Sequence, residues 1–512
     1  MTTYFDLKDF FEDKDLQLII AADAEPFAHV RENGEIVKRV AAGGVSVSLE
    51  PVARAARGLF IARGKTEEDR KALDKNGKVE VNEGLDFYTL RRLFFSDELM
   101  DEYYFGFSNQ TLWPLSHVAF EQPIFRRSWF EGFKEINKTF AKNIISQLKE
   151  KNLIWVNDYQ LCLVPQFLPK DKRSAIGFFW HIPWPTWEIF RILPQRKEIL
   201  ESLLSCDFIA FHRNYHAENF IDTVSRELEA RIDRESSTIM YNNHLTKVIG
   251  LPMGIDSDVI EMLAETKKND FFTEYLRRIL GADLDLIGAK ESEVRIKEEF
   301  KKTDILLGVD RLDYTKGLLN RLEAIDVFFE KNPKYKEKVT YFGFSASSRE
   351  KIPSYKTLKD KLFQKALEIN KKYATKSWQP IQLLPGIFSR KELINLYQQA
   401  KVCLVTPLDD GMNLVSKEFI IAASLSDDPG MLLLSQFAGS AKDLTQAVLI
   451  NPYDIESVAT SIKDALEMKK EEKKKRITDM AKLLEEKNVY SWAIHFLQTT
   501  LDAAKEQRGV TL

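Results

Sequence analysis

Short runs of apolar, β-prone residues recur along this chain between stretches long enough to be helices, and that rhythm restricts the fold more than any other feature. LQLIIAA at 16–22, NLIWVND at 152–158, SAIGFFWHI at 174–182, DFIAFH at 207–212 and KVIGLP at 247–252 form one series. DILLGVDR at 304–311, KVTYFGF at 338–344, IQLLPGI at 381–387, KVCLVTP at 401–407 and MLLLSQF at 431–437 form a second. A strand that is apolar on both faces must be covered on both faces, so each series predicts a parallel sheet with helices on either side. Between the series lies LPMGIDSDVIEML, where Pro252 and Gly254 punctuate the chain ahead of a helix start. The chain therefore divides into a domain over 1–254, a second over 255–485, and a closing helix over 486–512 expected to pack back on the first. A length of 512 residues suits two large cores. Two doubly wound α/β domains imply a cleft between them, and ligands of such sheets sit beyond the carboxyl ends of the strands.

Charge and cysteine content exclude several classes of function. Seventy-four Lys and Arg against 77 Asp and Glu leave a net charge of −3, too weak a field to recruit a nucleic acid or an anionic membrane. Any anionic ligand has to be caught by local charges. Cys162, Cys206 and Cys403 lie in apolar stretches without a CxxC or Cys/His pairing, and read as reduced thiols in the core. The start, MTTYFDLKDFFEDKDLQ, has no basic stretch followed by a long apolar one, and no membrane-length apolar run occurs. The protein is expected to be cytoplasmic. KKEEKKKRITDMAKLLEEK at 469–487 reads as an exposed helix without assigned function, and charged helices of this kind leave room for a homo-oligomer.

The candidate chemistry follows the strands. GVDRLDYTKG, 308–317, sets Arg311 and Lys316 at the mouth of the second domain, where two cations can stabilise a departing diphosphate; the alternative is a turn with a surface ion pair from Arg311 to Asp313. VTPLDDGMNLVSKEF, 405–419, reads as a strand ending at Pro407, then a loop through Asp410, Gly411, Met412 and Asn413 into a helix. The N–H groups at that helix start can bind phosphate or sugar hydroxyls. Glu418 on the same helix is either a bidentate acceptor for ribose hydroxyls or a solvated carboxylate. In FFWHIPWPTWEIF, His181 follows a strand and is held by Pro183 and Pro185; it can donate to a sugar hydroxyl, carry a proton, or be a satisfied core histidine. Asp158 in WVNDYQ ends another strand, where a carboxylate can orient an acceptor hydroxyl.

HIPWP, VDRLDYTKG, TPLDDGMNLVSKE, LLSQFAGSA and INPYD, with DEYYFGFSNQTLWP at 101–114 and NDYQL at 157–161, resemble the trehalose-6-phosphate synthase family, glycosyltransferase family 20. The match is close from about residue 100 to 500. The resemblance implies the GT-B architecture, two Rossmann-like doubly wound parallel-sheet domains facing a central cleft. It also implies a retaining glucosyltransfer from a nucleotide sugar such as UDP-glucose to a phosphorylated small acceptor, as in trehalose biosynthesis for osmoprotection. By that resemblance Gly43 and Gly44 let the backbone approach the donor diphosphate. Arg311 and Lys316 bind it, Phe388 sits near the base, Asp410 to Leu414 hold the glucose and pyrophosphate, and Glu418 holds the ribose. His181 contacts the transferred glucosyl group. Tyr104, Trp113, Asp158 and Arg349 match acceptor positions. No metal or other cofactor is required, because Arg311 and Lys316 supply the charge.

The sequence departs from that family near the acceptor. An Asn-Arg pair whose arginine grips the acceptor phosphate is replaced by Asp23 and Ala24, and an expected tryptophan by Phe60. Arg31, Arg39 and Arg63 are the basic residues near enough in sequence to substitute. EPFAHVRENG is also similar to glucosylglycerol-phosphate synthases, which use glycerol-3-phosphate. A non-catalytic regulator that binds sugar phosphates is the reading from another class; it is disfavoured by the retained Arg311, Lys316, Asp410 and Glu418. A phosphorylase of the same architecture would need a pyridoxal lysine, and nothing here resembles that context.

Overall fold

The computed structural model describes residues 2–12, 14–32, 34–40, 44–83, 86–170, 174–256, 260, 296, 300–346, 348–386 and 388–508. It falls into two compact units, one of Met1–Gly254 with Glu486–Leu512 and one of Ile255–Glu485. Apart from Ile260, the helix start expected after LPMGIDSD lies outside the described residues.

Unit 1 contains β1 (Gln17–Ala21), β2 (Phe27–Glu32), β3 (Glu35–Val40), β4 (Leu59–Arg63), β5 (Lys78–Glu83), β6 (Asp86–Leu93), β7 (Asn152–Asn157), β8 (Ser174–Trp180), β9 (Phe208–Phe211), β10 (Arg231–Asp233), β11 (Thr238–Tyr241) and β12 (His244–Gly250). β2 and β3 form a separate antiparallel hairpin. The others make a sheet ordered β10-β11-β12-β9-β8-β7-β1-β4-β6-β5, parallel from β12 to β6 and antiparallel at both ends. Every residue of β7, β8 and β9 is buried, the signature of strands covered on both faces. One cover is the helix Val489–Arg508, whose Phe496 stacks on Trp155 at 4.2 Å between ring centroids. Gly177 permits that approach, since a Cβ there would stand 2.6 Å from Thr500 Oγ1.

Unit 2 holds six parallel strands, β13 (Asp304–Arg311), β14 (Val339–Ala346), β15 (Ile381–Pro385), β16 (Val402–Val405), β17 (Met431–Ser435) and β18 (Val448–Ile450), ordered β15-β14-β13-β16-β17-β18. The chain runs outward from β13 to β15, then returns to the other side of β13 as β16, so strand order reverses between β13 and β16. In unit 1 it reverses between β1 and β7. These reversals are where such sheets leave room for a ligand.

All ten apolar runs of the two series are strands. The stretch 469–487 corrects an expectation: its helix, Lys470–Glu486, is not exposed throughout but buries Ile477, Met480, Ala481 and Leu484 on one face, together with Lys473. Among the described residues no helix is long and apolar enough to cross a membrane. Cys162, Cys206 and Cys403 are free and buried, and burial pushes each thiol up.

Candidate active site

In unit 2 the chain leaves β13 at Arg311, makes the single turn Tyr314–Lys316, and passes through Gly317 into the helix Leu318–Lys331. The Asp313 carboxylate holds the turn by accepting from the Thr315 N–H at 3.1 Å and its hydroxyl at 3.0 Å. Asp313 is wholly buried and its ionic partner is Arg349, at 3.1 Å, whereas Arg311 is exposed. The surface pair of Arg311 with Asp313 is thus not the arrangement adopted. Burial works to raise the Asp313 pKa, but the charges of Arg349, Arg311 and Lys316 outweigh it and hold the carboxyl below its ordinary value.

β16 ends at Val405, two residues short of Pro407, and the chain then turns inward. Lys316 Nζ donates to Asp410 Oδ2 at 2.6 Å, and Asn413 Nδ2 donates to the same oxygen at 3.1 Å. Asn413, at a φ of 82°, caps the helix Leu414–Ser424 by accepting from the Ser416 N–H at 2.9 Å. The N–H groups of Leu414 and Val415 then have no intrahelical acceptor. A neighbouring loop clamps this one: Gly439 N–H donates to the Asp410 carbonyl at 2.8 Å and Ser440 N–H to Met412 at 2.7 Å. A Cβ on Gly439 would sit 2.0 Å from the Gly411 carbonyl, so only glycine allows the two backbones to meet. Beneath them Arg321, fully buried, pairs with Asp310 at 2.6 Å and donates to Thr406 Oγ1 at 2.9 Å. The result is an anion-ready edge at the strand-order reversal, with an ammonium, a guanidinium and a helix N-terminus.

Glu418, in the same helix, is not a solvated carboxylate. It is buried, and burial raises its pKa against the opposing effects of Arg390 and the Tyr397 hydroxyl. Arg390 stands 4.0 Å away. Two residues before it, Phe388 is buried edge-on against Phe344 at 4.9 Å.

In unit 1 the corresponding edge carries Asp23 after β1, Arg63 closing β4, Asp158 after β7, His181 after β8 and His212 after β9. Asp158 sits at a φ of 72°, an uncommon conformation outside glycine, and its Oδ1 accepts from the N–H groups of Tyr159 at 3.0 Å and His181 at 3.1 Å. The His181 ring is inside the protein, stacked on Phe179 at 4.3 Å. Asn157 Nδ2 donates to the Trp155 carbonyl at 3.3 Å, so its Oδ1 is the acceptor for His181 Nε2–H at 3.1 Å. His181 Nδ1 then accepts from His212 Nε2–H at 3.2 Å, and His212 Nδ1 from the Met253 N–H at 3.4 Å. Burial pushes the His181 pKa down to about 3, so the ring is neutral and both its nitrogens are engaged within the unit.

Tyr104 and Trp113 come from an unusual element, a π-helix spanning Asp101–Leu112 and the turn that follows. π-Helical segments often mark functional sites. Tyr104 lies under the Arg63 guanidinium, 5.1 Å from ring centroid to Cζ, while Trp113 packs 5.9 Å from Tyr159, the neighbour of Asp158. Gly44 caps the helix Val45–Ala55 at a φ of 112°, and Gly43 lies outside the described residues. Arg349 belongs to unit 2, whereas Tyr104, Trp113 and Asp158 belong to unit 1.

Sequence reasoning passed over His212, Asn157, Arg321 with Asp310, and Arg390. His212 had a signal, since it closes the strand DFIAFH as His181 closes its own. Asp310 had another, being a carboxylate inside an apolar run that must find a cation.

Against known proteins, the model of glycosyltransferase family 20 matches residues 17–502. A trehalose-6-phosphate synthase of Mycobacterium leprae is 34% identical over 498 residues, covering 96% of this chain and 95% of that one. A UDP-forming α,α-trehalose-phosphate synthase of Candida albicans is 35% identical over 407 residues, 78% of this chain and 80% of the other. Among solved structures, an E. coli protein bound with UDP-2-fluoro glucose matches with a TM-score of 0.80 at 29% identity, covering 96% of this chain and 99% of its own. A Burkholderia xenovorans α,α-trehalose-phosphate synthase in complex with glucose-6-phosphate gives 0.79 at 29% identity, with 94% and 99% covered.

Proposed function

We propose that this chain, which belongs to glycosyltransferase family 20, is a retaining glucosyltransferase that moves glucose from UDP-glucose to glucose-6-phosphate, giving trehalose-6-phosphate. The observation that carries this reading is the Lys316 ammonium held 2.6 Å from Asp410 beside the start of the helix Leu414–Ser424, at the strand-order reversal of unit 2. Unit 2 takes the nucleotide sugar. Its diphosphate exchanges Asp410 for itself as the partner of Lys316, with Arg311 alongside, the free N–H groups of the helix start receive phosphate or sugar oxygens, and Glu418 accepts the two ribose hydroxyls. Phe388 lies by the base.

Unit 1 takes the acceptor through Tyr104, Trp113 and Asp158. The glucosyl C1–O bond breaks with its electron pair passing to the leaving diphosphate, where Arg311 and Lys316 stabilise the charge. The acceptor hydroxyl oxygen bonds to C1 on the same face and gives its proton to a leaving phosphate oxygen. Asp158 orients that hydroxyl. His181, neutral and hydrogen-bonded at both nitrogens, positions the strand end on which the glucosyl group rests and transfers no proton.

The test is a product analysis with UDP-, GDP- and ADP-glucose against glucose-6-phosphate, glycerol-3-phosphate and glucose, by mass detection, with and without EDTA. The expected result is an α,α-linked disaccharide phosphate from UDP-glucose and glucose-6-phosphate, undiminished by EDTA. No glucoside from any pair would leave the non-catalytic regulator as the better reading.

A further inference from the structure

Asp23, just after β1, and Arg63, which closes the adjacent parallel strand β4, meet with the carboxylate side-on to the guanidinium. Arg63 Nε donates to Asp23 Oδ1 at 2.9 Å and its second terminal nitrogen to Oδ2 at 2.8 Å. Tyr103 adds its hydroxyl to Oδ1 at 3.0 Å, and the Arg63 N–H donates to the Asp23 carbonyl at 3.2 Å. The carboxylate is buried, with a side-chain exposure of 6%, and the guanidinium retains 13%. Of the five N–H donors of a guanidinium this clamp consumes two. The opposite edge, formed by the two terminal nitrogens, has no acceptor among the described residues, and the Tyr104 ring lies 5.1 Å from the guanidinium carbon.

A planar cation fixed along one edge is pre-organised to offer two parallel N–H bonds along the other, the geometry that suits a phosphate. Lys65 adds positive charge, since it acts on Asp23 at this end of the sheet. Of the other two arginines in this region, Arg31 donates to the Gly34 carbonyl and lies 3.6 Å from Glu68, and Arg39 is on β3. Ala24, next to Asp23, is exposed and carries no charge.

The structure assigns Arg63, clamped by Asp23 and flanked by Tyr104, as the residue that recognises the phosphomonoester of the acceptor. This rests on the reading of the chain as a glucosyltransferase with a phosphorylated acceptor. The role is one of specificity, because the clamp reads the phosphate and leaves the rest of the acceptor to other residues.

The experiment measures the KM for glucose-6-phosphate and for glycerol-3-phosphate, the rate with unphosphorylated glucose, and the affinity for UDP, in the unmodified protein, Arg63→Ala and Arg63→Lys. In Arg63→Ala the KM for whichever phosphorylated acceptor is used should rise about ten- to a hundredfold. Arg63→Lys, which keeps a charge against Asp23 but lacks the fork, should show a smaller rise of the same kind. The UDP affinity and the slow rate with glucose should move by less than about twofold. A KM unchanged in either variant overturns the assignment, as does a parallel loss of UDP affinity and glucose rate, which would mark a merely structural pair. If the unmodified protein uses no phosphorylated acceptor, it is the glucosyltransferase reading that fails. A rise confined to one of two acceptors that are both used would overturn recognition through the shared phosphate.

Discussion

Where unit 2 sets Lys316 against Asp410, Arg349 against Asp313 and Arg321 against Asp310, the same edge of unit 1 runs a hydrogen-bonded string from Met253 through His212 and His181 to Asn157, with the clamped Arg63 guanidinium at its side. The first edge is an array of compensated charges. An anion arriving there exchanges one partner for another, so the protein can hold strong cations without burying them unpaired. The second edge engages both ring nitrogens of His181 and of His212 in hydrogen bonds and holds its groups in fixed orientations. The contrast separates an edge whose cations can exchange one ionic partner for another from an edge whose groups are fixed by hydrogen bonds.

The largest effect that would break this comparison is expected at Arg321. Arg321→Met leaves Asp310 buried and uncompensated, and should lower the stability of unit 2 by about 3–5 kcal/mol, read from denaturant melting. Pairing it with Asp310→Asn should restore most of the loss. If the single variant melts like the unmodified protein, the pairs in unit 2 are not mutually dependent and the contrast between the edges collapses.

Next comes Lys316→Ala, which should lower kcat by about a hundred- to a thousandfold while circular dichroism shows the fold retained. A kcat within a few-fold of normal would mean that the unit 2 edge does not carry leaving-group charge. A loss confined to KM would mean that it binds the ground state and transition state alike.

A smaller effect sharpens the comparison from within unit 1, where charge is buried away from the edge. Arg92, with no side-chain exposure, serves both Glu25 at 2.6 Å and Asp69 at 3.2 Å. One cation cannot fully compensate two carboxylates, and burial, with a further contribution from Asp69, raises the Glu25 pKa from 4.5 to about 7 despite Arg92. A carboxyl whose pKa is raised on folding adds stability below its unfolded pKa, and that contribution is lost as pH rises through the folded value. Between about pH 4.5 and pH 7 the unmodified protein should therefore lose up to about 3 kcal/mol relative to Glu25→Gln, which cannot titrate. Parallel pH profiles for the two proteins would show that Glu25 is ionised throughout.

The sequence by itself determined ten of the strands in the two parallel sheets through continuous apolar runs such as NLIWVN and MLLLS, but the equally buried LFIA of β4 was not among the expected runs. It did not announce β5 or β10, because KVEVNE and RID sit at sheet edges where water replaces a covering layer and polar residues are tolerated. It placed Asp410 to Asn413 on a loop between strand and helix, since those residues are contiguous and their turn chemistry is local. Only the tertiary structure decided who pairs with whom. Lys316 and Asp410 are 94 positions apart, Asp313 and Arg349 are 36, and Asp23 and Arg63 are 40. The physical reason is that a strand's periodicity is a property of its own residues, while the order of strands in a sheet is set by how the whole chain buries its surface. The two partners of each pair stand at the ends of different strands, or in the loops that follow them. The pairing of Asp313 with Arg349 instead of Arg311, and the burial of one face of the Lys/Glu-rich helix, follow from the same fact.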